Sequence, residues 1–238
     1  MPAQLLQPMI LLAVLFVLLS ECGARPHHSC RRLAGNMLRT RGCHVVHPRN
    51  NSLTIDCDGK NLNSVKNILQ NFQNLGCNVP LKLHINKPTF PIAADLFNNV
   101  QKSLHRLEIL HLTLHQSWDN IFSNLGSLKI LVLHFEQTSR MDSIVLGTDS
   151  FNGLSELEYL RISTKTPVIL RKDALKNLHK LKCLGLSGVA SSCEGSDADF
   201  VKSIYPGSNS LKTHYEDPIS HRVETCKVHT RCAVPKNA

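Results

Sequence analysis

The thirteen residues "IFSNLGSLKILVL" (121–133) combine two apolar periods in one short stretch. Apolar residues recur at every third position up to Leu128, and they then alternate from Leu131 to Leu133. An amphipathic helix would continue in steps of three and four, whereas a plain strand would alternate throughout. The change of period therefore predicts a return segment that leads directly into a short β-strand, whose alternate leucines point into a core.

The same pattern occurs twice more without gaps, in "SFNGLSELEYLRI" (150–162) and "ALKNLHKLKCLGL" (174–186). One such unit cannot bury its own apolar face. We therefore expect the units to stack side by side into a solenoid with a shared core.

A fourth copy lies in "RLEILHLTLHQ" (106–116), where Leu107, Leu110 and Leu112 take the last three apolar positions. In this alignment a return segment ends near Leu107 and a strand begins at Leu110. Weaker copies of the strand portion are "LTIDC" (53–57) and "LKLHI" (81–85).

The L-x-x-L-x-L segments, with their preceding F-x-x-L feature, resemble the repeats of extracellular leucine-rich repeat proteins of animals. The stretch "LTIDCDGKNLNSV" (53–65) is similar to the end of that family's cysteine-rich N-terminal cap. The resemblance covers about residues 53–190. It implies an α/β solenoid, a leucine-rich repeat horseshoe with short parallel strands on the concave face and disulfide-bonded end caps. It also implies that ligands are taken on the concave face.

The chain departs from the family pattern in the turn that follows each strand. The family usually has asparagine three residues after the last strand leucine, but His115, Glu136, Lys165 and Val189 stand there in this alignment. The family's close C-x-C signature is also missing from the C-terminal region. We therefore expect irregular repeats.

The N-terminal region contains eleven uninterrupted apolar residues, "MILLAVLFVLL" (9–19). A membrane-spanning helix needs about 20 residues, and Cys22 and Ala24 are small residues at the offsets that favour cleavage after Ala24. A secretory signal peptide is the prediction, and an uncleaved signal anchor is the alternative. The predicted regions are 1–24 signal peptide, 25–78 cysteine-rich N-terminal cap and first strand, 79–190 leucine-rich repeats, and 191–238 C-terminal cap or tail.

Cysteine usage agrees with export. The chain has nine cysteines, and cleavage after Ala24 would remove Cys22. Eight cysteines would remain, and an even number in an exported chain predicts disulfides. These eight cysteines lie in two clusters. The clusters are Cys30, Cys43, Cys57 and Cys77, and Cys183, Cys193, Cys226 and Cys232. Metal binding is the alternative to disulfides, but no C-x-x-C pair occurs, so no metal is expected. No cofactor is expected either. The protein should be secreted and extracellular.

The formal net charge of +9 favours acidic partners such as sulphated glycans, anionic membranes or acidic proteins. The simpler alternative is a basic secreted protein without such a partner. Nucleic acid is disfavoured by the extracellular location and by the single Trp and three Tyr available for stacking. No later segment is apolar enough to span a membrane. Asn50, in "NNS", is a candidate glycosylation acceptor.

A basic segment, "RKDALKNLHKLK" (171–182), is the candidate glycan-binding patch, with a solvated surface as the alternative. Its candidate residues, called the basic patch below, are Arg171, Lys172, Lys176, Lys180 and Lys182.

Two histidine pairs are candidates for metal binding or for a pH-sensitive contact. His111 and His115 have helical zinc-site spacing, but on a strand they would lie about 13 Å apart, too far to share an ion. His84 and His111 should instead lie side by side, about 5 Å apart. They would be either two surface imidazoles or a pH-sensitive contact. The segment "GLSGV" (185–189) fails the nucleophile-elbow pattern, so no catalytic residue is expected and the protein is predicted not to be an enzyme.

The sequence thus predicts a secreted module that binds an extracellular protein through the concave face. The alternatives are a binder of glycosaminoglycans or anionic surfaces, and a non-catalytic subunit of a secreted enzyme complex. The candidate binding residues are the positions beside the strand leucines: Lys82, His84, Glu108, His111, Thr113, Lys129, His134, Glu158, Arg161 and Ser163.

Overall fold

The structure is a computed structural model that describes residues 40–46, 52–76, 79–113, 116–136, 143–165, 168–191, 197–205, 210–216 and 223–232. The predictions of a signal peptide, of glycosylation at Asn50 and of disulfides at Cys30, Cys77 and Cys193 lie outside these residues.

Twelve β-strands and two α-helices form within the described ranges. The first six strands are β1 (Cys43–Val46), β2 (Leu53–Cys57), β3 (Leu81–Asn86), β4 (Leu104–Leu112), β5 (Ile130–Phe135) and β6 (Ile144–Leu146). The other six are β7 (Tyr159–Thr164), β8 (Val168–Leu170), β9 (Cys183–Ser191), β10 (His214–Glu216), β11 (Val223–Thr225) and β12 (Val228–Cys232). The helices are α1 (Leu62–Asn74) and α2 (Asp197–Ile204), and short 3-10 turns cover Ala94–Phe97 and Thr148–Phe151.

Six strands, β2-β3-β4-β5-β7-β9, form a parallel series that we call the ladder. Each strand aligns a buried aliphatic residue with that of its neighbour: Ile55, Leu83, Leu107, Leu131, Leu160 and Leu184 stand in one row. Alternate side chains of a strand share one face of the sheet. The aligned leucines therefore place the main core on one face of the sheet, and the opposite face carries most of the charged and polar strand residues.

The strand at the fourth copy begins earlier than the sequence indicates. The prediction of a strand start at Leu110 is wrong, because β4 begins at Leu104. Leu107 and Ile109 oppose Leu131 and Leu133, so the motif here is L-x-x-L-x-I from Leu104 onward. In the sequence, Leu104, Leu107 and Ile109 fit the repeat pattern as well as Leu107, Leu110 and Leu112 do. The sequence alone therefore did not decide between the two alignments.

The corrected alignment makes the repeats more regular. The equivalent inward residues are Cys57, Ile85, Ile109, Leu133, Ile162 and Leu186. Their successive spacings are 28, 24, 24, 29 and 24 residues.

The predicted leucine-rich repeat horseshoe is wrong. The described residues form a mostly-sheet α/β fold with one mixed ten-stranded sheet and two α-helices, and not a helix-rich solenoid. Strand β1 is antiparallel to β2, and beyond β9 the sheet continues through β8 and β6. These two strands come from connections in which the sequence predicts return segments. Each is rich in β-branched residues, which favour strands. Each is also only three residues long, which is too short for a hydrophobic period to be recognised.

Helix α1 connects β2 to β3, and it is the only α-helix in a ladder connection among the described residues. The Asn61 side chain caps its start by accepting hydrogen bonds from the backbone N–H groups of Asn63 and Ser64. Buried Val65, Ile68, Leu69 and Phe72 form the stripe that packs on the sheet.

Two disulfide bonds confirm the prediction of disulfide bonding, with one bond inside each cysteine cluster. Cys43 and Cys57 join the directly opposed residues of β1 and β2. Cys183, at the start of β9, is bonded to Cys226, between β11 and β12.

The C-terminal segment covers part of the polar side of the sheet. Strands β10 and β11 form an antiparallel pair, and the Tyr215 ring lies 5.5 Å from the ring of Tyr159 in β7. These two tyrosines form a small second core with Ile130 and Cys183. Strand β12 then pairs parallel with the later half of β9.

Candidate binding surface on the outward face

The outward face is the side of the ladder opposite the leucine core. Its side chains alternate with the buried leucines and form rows across the strands, since the register is unbroken apart from the shifts that follow Leu81 in β3 and Ile109 in β4. One row is Lys82, Arg106, Ile130, Tyr159 and Cys183. The next is Asp56, His84, Glu108, Val132, Arg161 and Gly185. A shorter third row is His134, Ser163 and Ser187.

The structure places most of the predicted binding residues on this face. Six of the ten occupy outward positions of ladder strands: Lys82, His84, Glu108, His134, Arg161 and Ser163. Lys129 and Glu158 precede β5 and β7 at the edge of the face, with 3.9 Å between Lys129 Nζ and Glu158 Oε1. Thr113 follows β4 and is exposed, and His111 lies at an irregularity within β4.

The sequence prediction missed several outward residues, among them Asp56, Val132, Arg106 and Tyr159. Asp56 and Val132 occupy the same alternating positions as the predicted residues, so the pattern alone could have found them. Arg106 was missed because the alignment of the fourth copy was three residues off. Tyr159 precedes Leu160 and alternates with Arg161, so the same alternation could have placed it on the outward face.

A chain of side-chain contacts crosses the first three ladder strands. His84 Nδ1 lies 2.7 Å from Asp56 Oδ1, and His84 Nε2 lies 3.7 Å from Glu108 Oε1. Arg106 in turn donates from Nε to Glu108 Oε1. The contact with His84 is the main reason that the pKa of Asp56 lies below its usual value, although burial acts in the opposite direction. The chain fixes the orientation of these side chains before any partner binds.

A cleft of about 580 Å³ lies beside these side-chain contacts, at the end of the sheet where β1 pairs with β2. Asp56, His84 and Asn86 contribute to its wall from the ladder, and Gly42 and His44 from β1 and its preceding turn. The Cys43–Cys57 disulfide bounds the cleft on one side, so its wall combines polar side chains with apolar surface.

A second depression, of about 250 Å³, lies at the middle of the outward face. We call it the central pocket, and it is lined by Arg106, Glu108, Leu110, Val132, His134, Tyr159, Arg161 and Ser163. Apolar, aromatic and charged side chains of both signs converge there from β4, β5 and β7. Such a mixture is typical of the centre of a protein interface, where aromatic residues and arginine are enriched.

The basic patch is exposed at all five positions, but two of its cations are paired with glutamates. Lys180 Nζ lies 2.7 Å from both carboxylate oxygens of Glu156, and Lys182 Nζ lies 2.7 Å from Glu158 Oε2. Lys180 is the largest cause of the lowered pKa of Glu156. The pairing reduces the positive charge that the patch presents to an anion.

His111 has a different neighbour from the one that the sequence indicates. The predicted pairing of His84 with His111 is wrong, because His84 stands opposite Glu108. A register shift follows Ile109, and His111 instead lies beside His134, with 5.2 Å between the ring centres.

The two imidazoles meet at the carboxylate of Glu136. Glu136 Oε2 lies 2.9 Å from His111 Nδ1 and 3.4 Å from His134 Nε2. Its other oxygen, Oε1, accepts a hydrogen bond of 2.6 Å from Lys165 Nζ. The hydrogen bond from Lys165 and, after it, that of His111 lower the pKa of Glu136 to about 2. We call His111, His134 and Glu136 the histidine–glutamate cluster.

Comparison with known proteins yields no relative from which a role could be transferred. No protein-family model, no curated protein and no solved structure matches the chain. The resemblance to extracellular leucine-rich repeat proteins therefore rests on its own residues and stays a prediction. Among the described residues, no helix is long and apolar enough to cross a membrane.

Proposed function

We propose that the chain is a secreted protein-binding module and that the central pocket of the outward face holds an extracellular protein partner. The observation that carries the proposal is the convergence in one depression of Arg161, Glu108 and Val132. Arginine is among the side chains that most often dominate interface energetics, above all when it lies near the centre of the contact.

The preformed charge contacts support this role. Glu108 is held by Arg106 and approached by His84 before any ligand is present, so less side-chain freedom is lost on binding. The two disulfides support the extracellular setting, since such bonds persist mainly in oxidising compartments. The hairpin of β10 and β11 limits the accessible area by covering Tyr159 from one side. A partner would therefore contact the pocket from the side of β4 and β5.

A charge-reversal pair tests the proposal. Arg161→Glu alters the central pocket, whereas Lys176→Glu makes the same change of charge in the exposed segment between β8 and β9. Proteins captured from the native extracellular fluid by the wild-type chain should bind R161E at least about tenfold more weakly, a loss of about 1.4 kcal/mol. They should bind K176E as well as wild type. Equal binding by R161E and wild type would remove the central pocket from the proposal.

The glycan-binding alternative rests on the five exposed cations of the basic patch. It makes the reverse prediction for the same two variants. Retention on a sulphated column would then fall for K176E and change little for R161E, because sulphate contacts depend on charge and salt and not on the central pocket. Unchanged retention of K176E would exclude the patch as the main site.

A further inference from the structure

The histidine–glutamate cluster brings three metal-ligating atoms from separate parts of the chain to one point. The candidate ligand atoms of His111, His134 and Glu136 all lie within 4.8 Å of one another. The side chains of His111 and Glu136 are 40% and 27% exposed, so the point can be reached from solvent. The sequence does not indicate this cluster, because His111 and Glu136 are separated by 25 residues and do not form a short metal-binding motif.

The backbone of β4 is shaped so that His111 reaches the other two residues. The pairing of β4 with β5 shifts register between Ile109 and Leu112, and His111 has a φ of 55°. Positive φ is uncommon for residues other than glycine and costs free energy. A bulge of this kind redirects a side chain within a sheet and is enriched near functional sites.

His134 is also oriented by a neighbour. Its Nδ1 lies 2.7 Å from Ser163 Oγ, on the adjacent strand β7, which turns Nε2 toward Glu136. Metal-ligating histidines usually use their second nitrogen in this way, since the outer contact fixes the tautomer and the ring orientation. Lys165 holds the outer oxygen of Glu136 and leaves Oε2 toward the two imidazoles.

We propose that His111 Nδ1, His134 Nε2 and Glu136 Oε2 form a binding site for a zinc ion. Two imidazoles and one carboxylate are a ligand set that zinc accepts, with a fourth position open to water or another ligand. Tetrahedral zinc with bonds of about 2.0–2.1 Å requires ligand atoms about 3.3 Å apart. Two of the separations here are already 2.9 and 3.4 Å, and all three atoms lie within 4.8 Å of one another. Side-chain movements of about 1–1.5 Å would therefore complete the geometry without moving a strand.

The zinc proposal does not rest on the proposed protein partner, although His134 belongs to both the site and the lining of the central pocket. Zinc would replace the direct contacts of the carboxylate with the two imidazoles and would tie the end of β4 to the residue that follows β5.

Calorimetric titration of zinc chloride into the metal-free full-length secreted chain tests the site. The chain has 13 histidines, so the number of sites must be compared between variants. The wild type should show one saturable site that His134→Ala and Glu136→Gln each weaken more than about 100-fold. Ser163→Ala, which removes only the orienting contact, should weaken it about 10- to 100-fold. His179→Ala, which removes an exposed imidazole elsewhere, should leave it unchanged.

The proposal is overturned if the wild type has no saturable site, or if H134A and E136Q bind zinc as tightly as wild type. Circular dichroism of each variant establishes that the sheet is intact. Should H134A fail to fold, E136Q gives the answer alone, because it keeps the size of the side chain and removes only the anionic ligand.

Discussion

Asp56 contributes to stability through an anionic contact that acid should remove. Its pKa is below the ordinary value of 3.8, chiefly through the contact with His84, and the charge of His44 acts in the same direction. A carboxyl group with a depressed folded-state pKa stabilises the protein above its unfolded-state pKa and loses that effect as the pH falls through the folded value. The contribution is therefore present at neutral pH and fades below about pH 4.

Asp56→Asn should accordingly lower the urea midpoint at pH 7 and have a smaller effect at pH 3. Asp95→Asn is the matched control, because Asp95 forms an exposed ion pair with Lys66, and such pairs contribute little. The same difference between D56N and wild type at both pH values would show that the charge of Asp56 does not stabilise the fold.

The alternation of residues in each copy was enough to predict the outward positions of His84, His134 and Arg161. It could not predict the neighbours of His111. A bulge depends on the pairing of two whole strands and leaves no periodic mark in either sequence. The contacts of His111 with His134 and Glu136 arise only after that pairing is made.

At the scale of a single strand, the irregularity in β4 predicts an unusual order of stability. His111 has a φ of 55°, which glycine adopts freely and alanine does not. In metal-free protein, His111→Gly should therefore be more stable than His111→Ala by about 1 kcal/mol. At His134, in the regular part of β5, the order should reverse by about 0.5–1 kcal/mol, since glycine weakens a strand. Urea unfolding of the four variants measures both differences, and the same order at the two positions would contradict the left-handed conformation of His111.

The turns that connect the strands pack closely on one another at Gly153. A Cβ at this position would lie 2.2 Å from the backbone oxygen of Ser123, and Gly153 has a φ of 86°. Gly153→Ala should cost about 2 kcal/mol or more, because both the contact and the backbone oppose it. Gly126→Ala is the control, since its nearest contact would be 3.6 Å from the Ser155 hydroxyl. Thermal or urea unfolding should separate the two variants, and equal stability would mean that the turns are not packed this tightly.

At the scale of the whole molecule, the sequence was most informative where one pattern repeats. The leucines of the three ungapped copies predicted the inward row that Leu131, Leu160 and Leu184 form. The way in which the sheet continues past β9 could not be predicted. Strands as short as β6 and β8 have no periodicity of their own, and their position depends on the long-range contact between Ile169 and Ala190. The cover that β10 places on Tyr159 is equally long-range, since Tyr159 and Tyr215 are distant in sequence.

The Cys183–Cys226 disulfide ties the segment that carries β10 and β11 to the start of β9, next to Tyr159. The bond closes a loop of 43 residues, compared with 14 for Cys43–Cys57. Loop-closure entropy alone gives about 4 kcal/mol for the longer loop and about 3 kcal/mol for the shorter. The double variant Cys183→Ser with Cys226→Ser should therefore lose more stability in urea than Cys43→Ser with Cys57→Ser. It should also expose the second core around Ile130 and Tyr159, which the N-terminal pair of substitutions leaves covered.

Binding of an apolar dye and accessibility of tyrosine to solvent, measured well below the unfolding midpoint, would report that exposure. If the C-terminal double variant keeps Tyr159 as protected as wild type does, the contacts of Tyr215 hold the hairpin without the disulfide. The outward face would then have the same accessible area in the reduced and oxidised chains. If the tyrosine becomes accessible, reduction enlarges the surface beside the central pocket, and partner binding should depend on the redox state of this one bond.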